Sequence, residues 1–322
     1  MFVGRSVELA ELEAALADAA AGRPWLAFVA GDSGVGKTRL LSEFAARARA
    51  SGARTLSGDC MQLGEGELPY APLVAALRTL ARSGDPVLEQ LPSSVRAELS
   101  TLIPGLSKAV PTPSTADDPS AQARLFEALL WLLDQLSENG PVLLEIEDLH
   151  WADRATRAFV TFMGRSLCRE RVLIVATYRP DELHRRHPLR PVLAELERDI
   201  GSRRIELSPL TRQELFEQLS DLLGEPADSA LVDRVFARSE GHPLFVEELI
   251  AAGRDGRGAL PSTLRDALMV RIERLSLAAQ EVLRVIAVGQ RLDDELLVDA
   301  TGLDRLELQE ALPEAVINFI LP

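Results

Sequence analysis

The segment GDSGVGKT, residues 31–38, constrains the fold of this chain more than any other feature. It matches GxxxxGK[ST] at every fixed position, it follows the apolar run WLAFVA at residues 25–30, and a helical pattern begins directly behind it. A strand, a glycine-rich loop and a helix in this order form a phosphate-binding loop, in which backbone N–H groups close around phosphate oxygens at a helix N-terminus. The segment therefore predicts a nucleoside triphosphate site.

Two side chains of this loop carry the predicted chemistry. Lys37 is expected to reach the β- and γ-phosphates, and Thr38 is expected to offer its hydroxyl to Mg²⁺. The predicted nucleotide contacts in and directly after the loop are Gly31, Asp32, Ser33, Gly34, Val35, Gly36, Lys37, Thr38 and Arg39.

Apolar runs alternate with helical patterns over the first two thirds of the chain, which is typical of a parallel sheet covered by helices. The strand-like runs occupy residues 25–30, 53–58, 141–147, 171–178 and 203–208. Five strands are enough to form a doubly wound core. Between the second and third runs, segments rich in Pro, Ser and Gly predict an irregular insert with short helices.

The strand signal fades from Leu210 onward, and helical periodicity replaces it. A Gly-rich break at residues 251–262 separates this helical subdomain from a last unit, in which Ser262 or Thr263 is a candidate helix cap. The further helices predicted in the last unit occupy residues 277–288, 293–300 and 304–316.

The stretch LLEIEDLHWAD, residues 143–153, places acids at the end of a strand that is otherwise apolar. Ligands bind at the carboxyl ends of strands in open α/β sheets, and phosphoryl transfer needs an acid there to hold Mg²⁺. We predict that Glu147 faces the metal and that Asp148 orients the attacking water. In an alternative register Glu145 is the metal acid, which leaves Ile146 in place of the second carboxylate. A buried Glu145 needs an arginine partner, an edge position or local exposure.

Charge and cysteine content argue against several kinds of partner and site. Acids outnumber bases 49 to 35, and the formal charge of −14 argues against broad electrostatic attraction to nucleic acid or anionic lipid. Cys60 and Cys168 lie far apart without CxxC spacing, so neither a disulfide framework nor a zinc site is indicated. The N-terminus lacks the apolar core of a signal peptide, and no apolar run is long enough to span a bilayer. We expect a cytoplasmic protein without a membrane span.

Six segments in order resemble one family. They are FVGRSVELAEL at residues 2–12, GDSGVGKTRLL at 31–41, LPYAPL at 68–73, EDLHWAD at 147–153, LIVATYRPDEL at 173–183 and GHPLFVEEL at 241–249. Together they resemble the ATPase module of signal-transducing STAND proteins, and most closely the AAA-like module of the large ATP-binding LuxR-type bacterial regulators. The same module is also found beside some class III nucleotide cyclases.

This resemblance implies an α/β P-loop NTPase fold with a five-stranded parallel sheet flanked by helices. A helical lid and a partial winged-helix-like domain would follow the sheet. The implied boundaries are 1–208 for the nucleotide-binding domain, 209–256 for the lid and 257–322 for the incomplete last domain. The implied cofactors are ATP/ADP and Mg²⁺.

The resemblance also assigns roles outside the phosphate loop. Val3, Gly4 and Arg5 are expected to lie against the adenine, and a helix-leading turn is the alternative interpretation of this segment. Thr177 and Arg179 resemble the polar sensor and the arginine beside it, which would detect the γ-phosphate. A surface ion pair is the alternative for Arg179.

Further assignments concern the lid and the acidic motif. The resemblance places Pro243 on the adenine, although it can equally begin a helix at its first turn. We assign structural or coupling roles to His150 and Trp151, and we expect Asp153 to cap the next helix.

Two departures from the family bear on function. The family usually has an aspartate in place of Glu147 and an aliphatic residue in place of Glu145, so Mg²⁺ geometry and the hydrolysis rate are expected to differ. Larger members also contain helical repeats and a helix-turn-helix that are not found here, so we expect no direct DNA binding from these residues.

The resulting hypothesis is an ATP-dependent switch of a bacterial transcriptional regulator that hydrolyses ATP slowly. Glu147, Asp148 and Arg179 are its predicted catalytic residues, and Arg165 and Arg169 are candidate fingers for a neighbouring site. The expected partners are a second copy of the chain or a regulatory protein or ligand. A phosphotransferase and a nucleotide-binding scaffold without turnover are the alternatives.

Overall fold

Five parallel β-strands form the centre of the first of two compact units, which comprise Met1–Pro209 and Leu210–Pro322. The computed structural model describes residues 2–61, 68–103, 106, 119–198, 201–253, 269, 272, 273, 275–289 and 294–317. The strands are β1 Trp25–Ala30, β2 Arg54–Asp59, β3 Val142–Glu147, β4 Val172–Tyr178 and β5 Ser202–Glu206. They lie in the order β2-β3-β4-β1-β5, and every neighbouring pair is parallel. The predicted five-stranded core is confirmed.

The burial of each strand agrees with its position in the sheet. All seven residues of β4 are buried, as expected for a central parallel strand covered on both faces. The edge strands are more polar, because β2 exposes Ser57 and Asp59 while β5 exposes Arg203 and Arg204. Charged residues on an edge strand disfavour pairing with another chain.

Helices cover both faces of the sheet. The helices of this unit are α1 Ser6–Ala20, α2 Lys37–Ala50, α3 Ala71–Arg82, α4 Pro86–Glu89, α5 Ser93–Leu99, α6 Pro119–Ser137, α7 Arg154–Ser166 and α8 Leu189–Leu196. One hydrophobic core joins α3, α6, α7 and α8 to the sheet, and a second core joins α1 and α2 to the opposite face. Short helices α4 and α5 lie in the insert, as predicted.

The alternation of β3 determines which face its acids occupy. Val142, Leu144 and Ile146 belong to the core beneath α6 and α7, whereas Leu143 belongs to the core beneath α1 and α2. Because side chains alternate along a strand, Glu145 and Glu147 share the face of Leu143. Both acids therefore lie on the side of the sheet that carries α2 and its phosphate loop.

Asp153 joins three segments of the first unit. Its Oδ1 accepts hydrogen bonds from the backbone N–H groups of Ala155 at 2.8 Å and Thr156 at 3.0 Å, which confirms the predicted cap of α7. Its Oδ2 accepts from the backbone N–H of Tyr70 at 3.2 Å, in the LPYAPL segment. That segment lies against β2, since a Cβ atom added to Gly58 would stand 2.0 Å from the carbonyl oxygen of Pro72.

The regular elements in the described part of the second unit are helices. Helices α9 Arg212–Leu223, α10 Ser229–Ser239 and α11 Pro243–Ala252 share one hydrophobic core. Helices α12 Leu277–Gly289, α13 Asp294–Thr301 and α14 Arg305–Ile317 share another. The three last helices were predicted within one or two residues. The Ser262 or Thr263 cap lies outside the described residues, and the boundary at 256 and the winged-helix-like fold stay predictions.

None of the helices in the described ranges combines the length and the hydrophobicity needed to cross a membrane.

We expect Asp153→Ala to lower the free energy of unfolding of the first unit by about 2–3 kcal/mol, because it leaves three buried N–H donors without their acceptor. Urea denaturation followed by tryptophan fluorescence measures this, since the three tryptophans, Trp25, Trp131 and Trp151, all belong to that unit. Asp134→Ala, which removes an exposed acid of α6, is the control and should change the value by less than about 0.5 kcal/mol. Equal losses in both variants would contradict the assigned role.

Candidate nucleotide-binding site

The loop between β1 and α2 has the backbone that a phosphate cradle requires. Gly34 and Gly36 have φ values of +80° and +105°, which residues with a Cβ atom rarely adopt. Helix α2 begins at Lys37, so its unpaired N–H groups and the positive end of its dipole lie at the loop. Val35 is buried and fixes the loop to the core beneath α1 and α2. The arrangement suits an anionic phosphate.

Lys37 lies folded over this loop. Its Nζ donates hydrogen bonds to the carbonyl oxygens of Gly31 at 2.7 Å and Asp32 at 2.8 Å. The pKa of Lys37 is lowered to about 8, chiefly by burial and then by the nearby charge of Arg179, while neighbouring acids, Asp148 first, oppose the shift. A bound phosphate would add negative charge beside this buried ammonium.

Thr38 and Glu147 form the contact that joins the loop to β3. The Thr38 hydroxyl donates to Oε2 of Glu147 at 2.6 Å. Burial raises the pKa of Glu147, and the hydrogen bond from Thr38 opposes that rise. The contact favours the register in which Glu147, rather than Glu145, is the acid nearest the phosphate loop.

The donor set around this contact fits Mg²⁺. A hydroxyl and a carboxylate are hard oxygen ligands, which Mg²⁺ prefers. Within the described ranges, no group of three His, Cys, Asp or Glu side chains is placed to hold a metal ion by itself. Thr38 and Glu147 would therefore hold the ion together with phosphate oxygens and water, as is usual for this cation.

Glu145 lies two residues back on the same face. It is 6% exposed, and its Oε1 is buried without a hydrogen-bond partner in the described part of the chain. Its pKa is raised to about 7, chiefly by burial and then by the charge of Glu147, while Arg49 opposes the shift. Its neighbours across the sheet are Ser57 on the edge strand and Val175. Of the three conditions expected for a buried Glu145, Arg49 supplies a nearby positive charge.

The ends of β3 and β4 meet beside the loop. The backbone N–H of Asp148 donates to Thr177 Oγ1 at 2.9 Å, so Thr177 is bonded to the end of β3. Asp148 has a φ of 53°, which turns the chain sharply after Glu147. Its Oδ1 lies 3.7 Å from Nε of Arg179. Burial raises the pKa of Asp148, and the charges of Arg179 and Lys37 oppose that rise.

The N-terminal segment contacts the phosphate loop directly. Arg5 is buried, and its Nη2 donates to the carbonyl oxygens of Val35 at 3.1 Å and Ser208 at 2.6 Å. Its Nη1 lies 3.3 Å from Oε1 of Glu8. The turn Val3–Arg5 therefore lies beside the loop, while its role toward adenine stays a prediction.

Four further residues were predicted for the site or its neighbour in a second copy. Arg39 is exposed on α2. Pro243 begins α11 in the second unit, as the alternative interpretation proposed, and its contact with adenine stays a prediction. Arg165 pairs with Glu195, and Arg165 and Arg169 both precede β4, at the sheet edge opposite the loop. Within their own chain they cannot reach the site, so a role as fingers requires a second copy.

Sequence reasoning missed Glu182, which bonds both Arg179 and Trp151. Its Oε1 accepts from Nη1 of Arg179 at 2.8 Å, and its Oε2 accepts from Nε1 of Trp151 at 3.0 Å. The acid stands three residues after Arg179 in the RPDE segment, and that spacing is the one sequence signal that could have indicated the pair.

Comparison with known proteins agrees with this geometry. Residues 1–175 match the family described as AAA ATPase domain. An uncharacterized protein of Rhizobium meliloti (strain 1021) is 26% identical over 253 residues, which cover 71% of this chain and 23% of that protein. The chain thus spans less than a quarter of the length of this relative.

Solved structures resemble the chain at low identity. A STAND protein with a tetratricopeptide repeat sensor from Pyrococcus horikoshii is 13% identical, with a TM-score of 0.48 over 98% of this chain and 39% of that one. AMPPCP-bound DnaA from Aquifex aeolicus is 14% identical, with a TM-score of 0.47 over 99% of this chain and 94% of that one. Likenesses at this level carry no inference about function.

The family match includes the Arg5 turn, the phosphate loop and the acidic end of β3, and it covers more than half of the 322 residues. The chain belongs to the AAA ATPase domain family.

Proposed function

We propose that this chain is an ATP-binding switch module that hydrolyses ATP slowly. The observation that carries the proposal is the hydrogen bond between Thr38 and Glu147, because it brings the hydroxyl of a complete phosphate loop against an acid at the carboxyl end of β3 in the same sheet. Lys37 and Arg179 add two positive charges close enough to affect each other. Two cations and a pair of oxygen ligands are what a Mg²⁺–triphosphate requires.

Each residue has a defined task in this proposal. The loop N–H groups and Lys37 bind the β- and γ-phosphates, and Thr38 with Glu147 hold Mg²⁺, which neutralises phosphate charge when bound. Asp148 orients the attacking water, and Arg179 contacts the γ-phosphate. Loss of that phosphate removes a negative charge beside Arg179, and this change in charge is the signal that the switch transmits.

The biological setting follows from the family resemblance. We propose that the module serves a bacterial transcriptional regulator of the large ATP-binding LuxR type, through self-association or a regulatory protein. Val3–Arg5 would contact adenine, and the bonds of Arg5 to the phosphate loop support this placement.

A nucleotide-binding scaffold without turnover is the second candidate. Glu147 accepts directly from Thr38 at 2.6 Å, and burial raises its pKa, so the carboxylate is already bonded to the loop and releases its proton less readily than a free glutamate. Mg²⁺ demands near-octahedral geometry, and a glutamate in place of an aspartate disturbs it.

Lys37→Ala should weaken ATP binding about tenfold to a hundredfold, because it removes a charge-assisted contact to the phosphates. Isothermal titration calorimetry measures the affinity. Arg47→Ala is the matched control, since it removes an exposed cation that pairs with Glu43 and Glu13 near the other end of the same helix. Unchanged affinity in the Lys37 variant would place the phosphate site elsewhere.

The affinity for ATP should also fall as the pH rises through about 8, where Lys37 loses its charge in the free protein. Phosphate binds the charged form and raises its pKa, so affinity is full below the free-protein value and declines above it. Titrations between pH 6.5 and 9.5 with EDTA, which removes metal effects, measure the decline. Lys37→Arg should abolish it, and a decline of equal size in that variant would assign the effect to another group.

Glu147→Asp should raise Mg²⁺-dependent ATP turnover several-fold, because the shorter carboxylate leaves room for the ion. Release of inorganic phosphate measures the rate. Glu145→Gln is the control and should leave turnover unchanged. If wild type and Glu147→Asp are equally inert although both bind ATP, the scaffold replaces the switch.

A further inference from the structure

Glu182 uses both of its carboxylate oxygens at the end of β4. It belongs to the short helical turn Pro180–Glu182, which carries it back over Arg179. One oxygen accepts from the guanidinium of Arg179 at 2.8 Å and the other accepts from the indole N–H of Trp151 at 3.0 Å. We name these three residues the Arg179–Glu182–Trp151 bridge. It links the β4 turn to the LHWAD segment that follows Glu147.

Three groups hold the guanidinium of Arg179. Besides the hydrogen bond to Glu182, its central carbon lies 5.0 Å from the ring centroid of Trp151, within cation–π range. Its Nε lies 3.7 Å from Oδ1 of Asp148. The side chains of Arg179 and Glu182 are 21% and 17% exposed, so water screens these interactions weakly.

His150 completes the wall behind the bridge. Its ring contacts that of Trp151 at a tilt of 48° with centroids 4.8 Å apart, and its Nε2 lies 3.5 Å from Oε2 of Glu182. Burial lowers the pKa of His150 to about 4, while Glu182 opposes the shift. The imidazole is therefore neutral near pH 7 and does not compete as a cation for the carboxylate.

The bridge offsets a repulsion inside the site. Arg179 and Lys37 are both positive, and the charge of Arg179 is one reason why the pKa of Lys37 is low. Two like charges move apart unless an opposite charge holds them. Glu182 supplies that charge on the side of Arg179 where Trp151 also lies.

We infer that Glu182 is a positioning residue, which holds Arg179 beside Asp148 and Lys37 so that its guanidinium is pre-oriented for the γ-phosphate. This inference rests on the proposed function, because it explains how the same site would distinguish ATP from ADP. Pre-orientation lowers the ordering cost that Arg179 would otherwise incur on binding.

The chemistry of the bridge requires a carboxylate. Arg179 and Trp151 both donate, so the residue between them needs two acceptors. Glutamine has the same shape but offers one acceptor and one N–H₂ group, which would face a donor. Glu182→Gln therefore breaks one bond of the bridge with almost no change in volume.

The test measures equilibrium affinities for ATP and ADP in the full chain. The wild type should prefer ATP, and Arg179→Ala should lose that preference. Glu182→Gln should lower the ATP/ADP preference about tenfold while the ADP affinity and the melting temperature stay close to wild type. Glu206→Gln is the control, because it removes the acid of an exposed ion pair with Arg204 on the same sheet.

A double mutant separates positioning from general damage. Trp151→Phe removes the indole N–H donor. In the double variant Glu182→Gln, Trp151→Phe, the amide oxygen then needs to accept from Arg179 alone. The loss caused by Glu182→Gln should be smaller in the Trp151→Phe background than in the wild type. Equal losses in the two backgrounds would contradict the bridge.

The remaining outcomes separate the inference from the proposed function. If the wild type binds no nucleotide, the proposed function fails. If it binds ATP and Arg179→Ala lowers the ATP preference, an unchanged preference in Glu182→Gln overturns the inference alone. Equal weakening of ATP and ADP in Glu182→Gln, or a Glu206→Gln variant with the same effect, also overturns it.

Discussion

The parallel direction of all five strands is the constraint on which the candidate site depends. Strands β3, β4 and β1 are neighbours, and their carboxyl ends share one edge of the sheet. The loop after β1, Glu147 at the end of β3 and Arg179 after β4 meet there, although more than a hundred residues separate Lys37 from Glu147. An antiparallel neighbour would have brought a strand start, without these side chains, to the same edge.

Much of this arrangement could be predicted from the order of the motifs along the chain. Apolar runs marked the five strands, and the acids at the carboxyl end of the third run indicated Glu147, which agrees with its contact to Thr38. The bonds of Arg5 to the carbonyl oxygens of Val35 and Ser208 could not be predicted, since backbone carbonyls leave no trace in the sequence. The bridging role of Glu182 depends on a turn geometry that a single sequence does not specify.

The site balances a small number of buried charges. Lys37 and Arg179 lie near Glu147 and Asp148, and burial is the largest cause that lowers the pKa of Lys37 and raises those of both acids. A charged triphosphate with its cation would favour the charged forms on both sides, because each group would gain an opposite charge.

The most direct measurement is calorimetric titration of the unmodified chain with ATP, with and without Mg²⁺. Our account predicts saturable binding of one ATP per chain and a change in affinity when Mg²⁺ is present, since Thr38 and Glu147 would hold the ion, which would neutralise phosphate charge. Absence of saturable binding at millimolar ATP would contradict the account, because the loop amides and Lys37 would then not form a phosphate site.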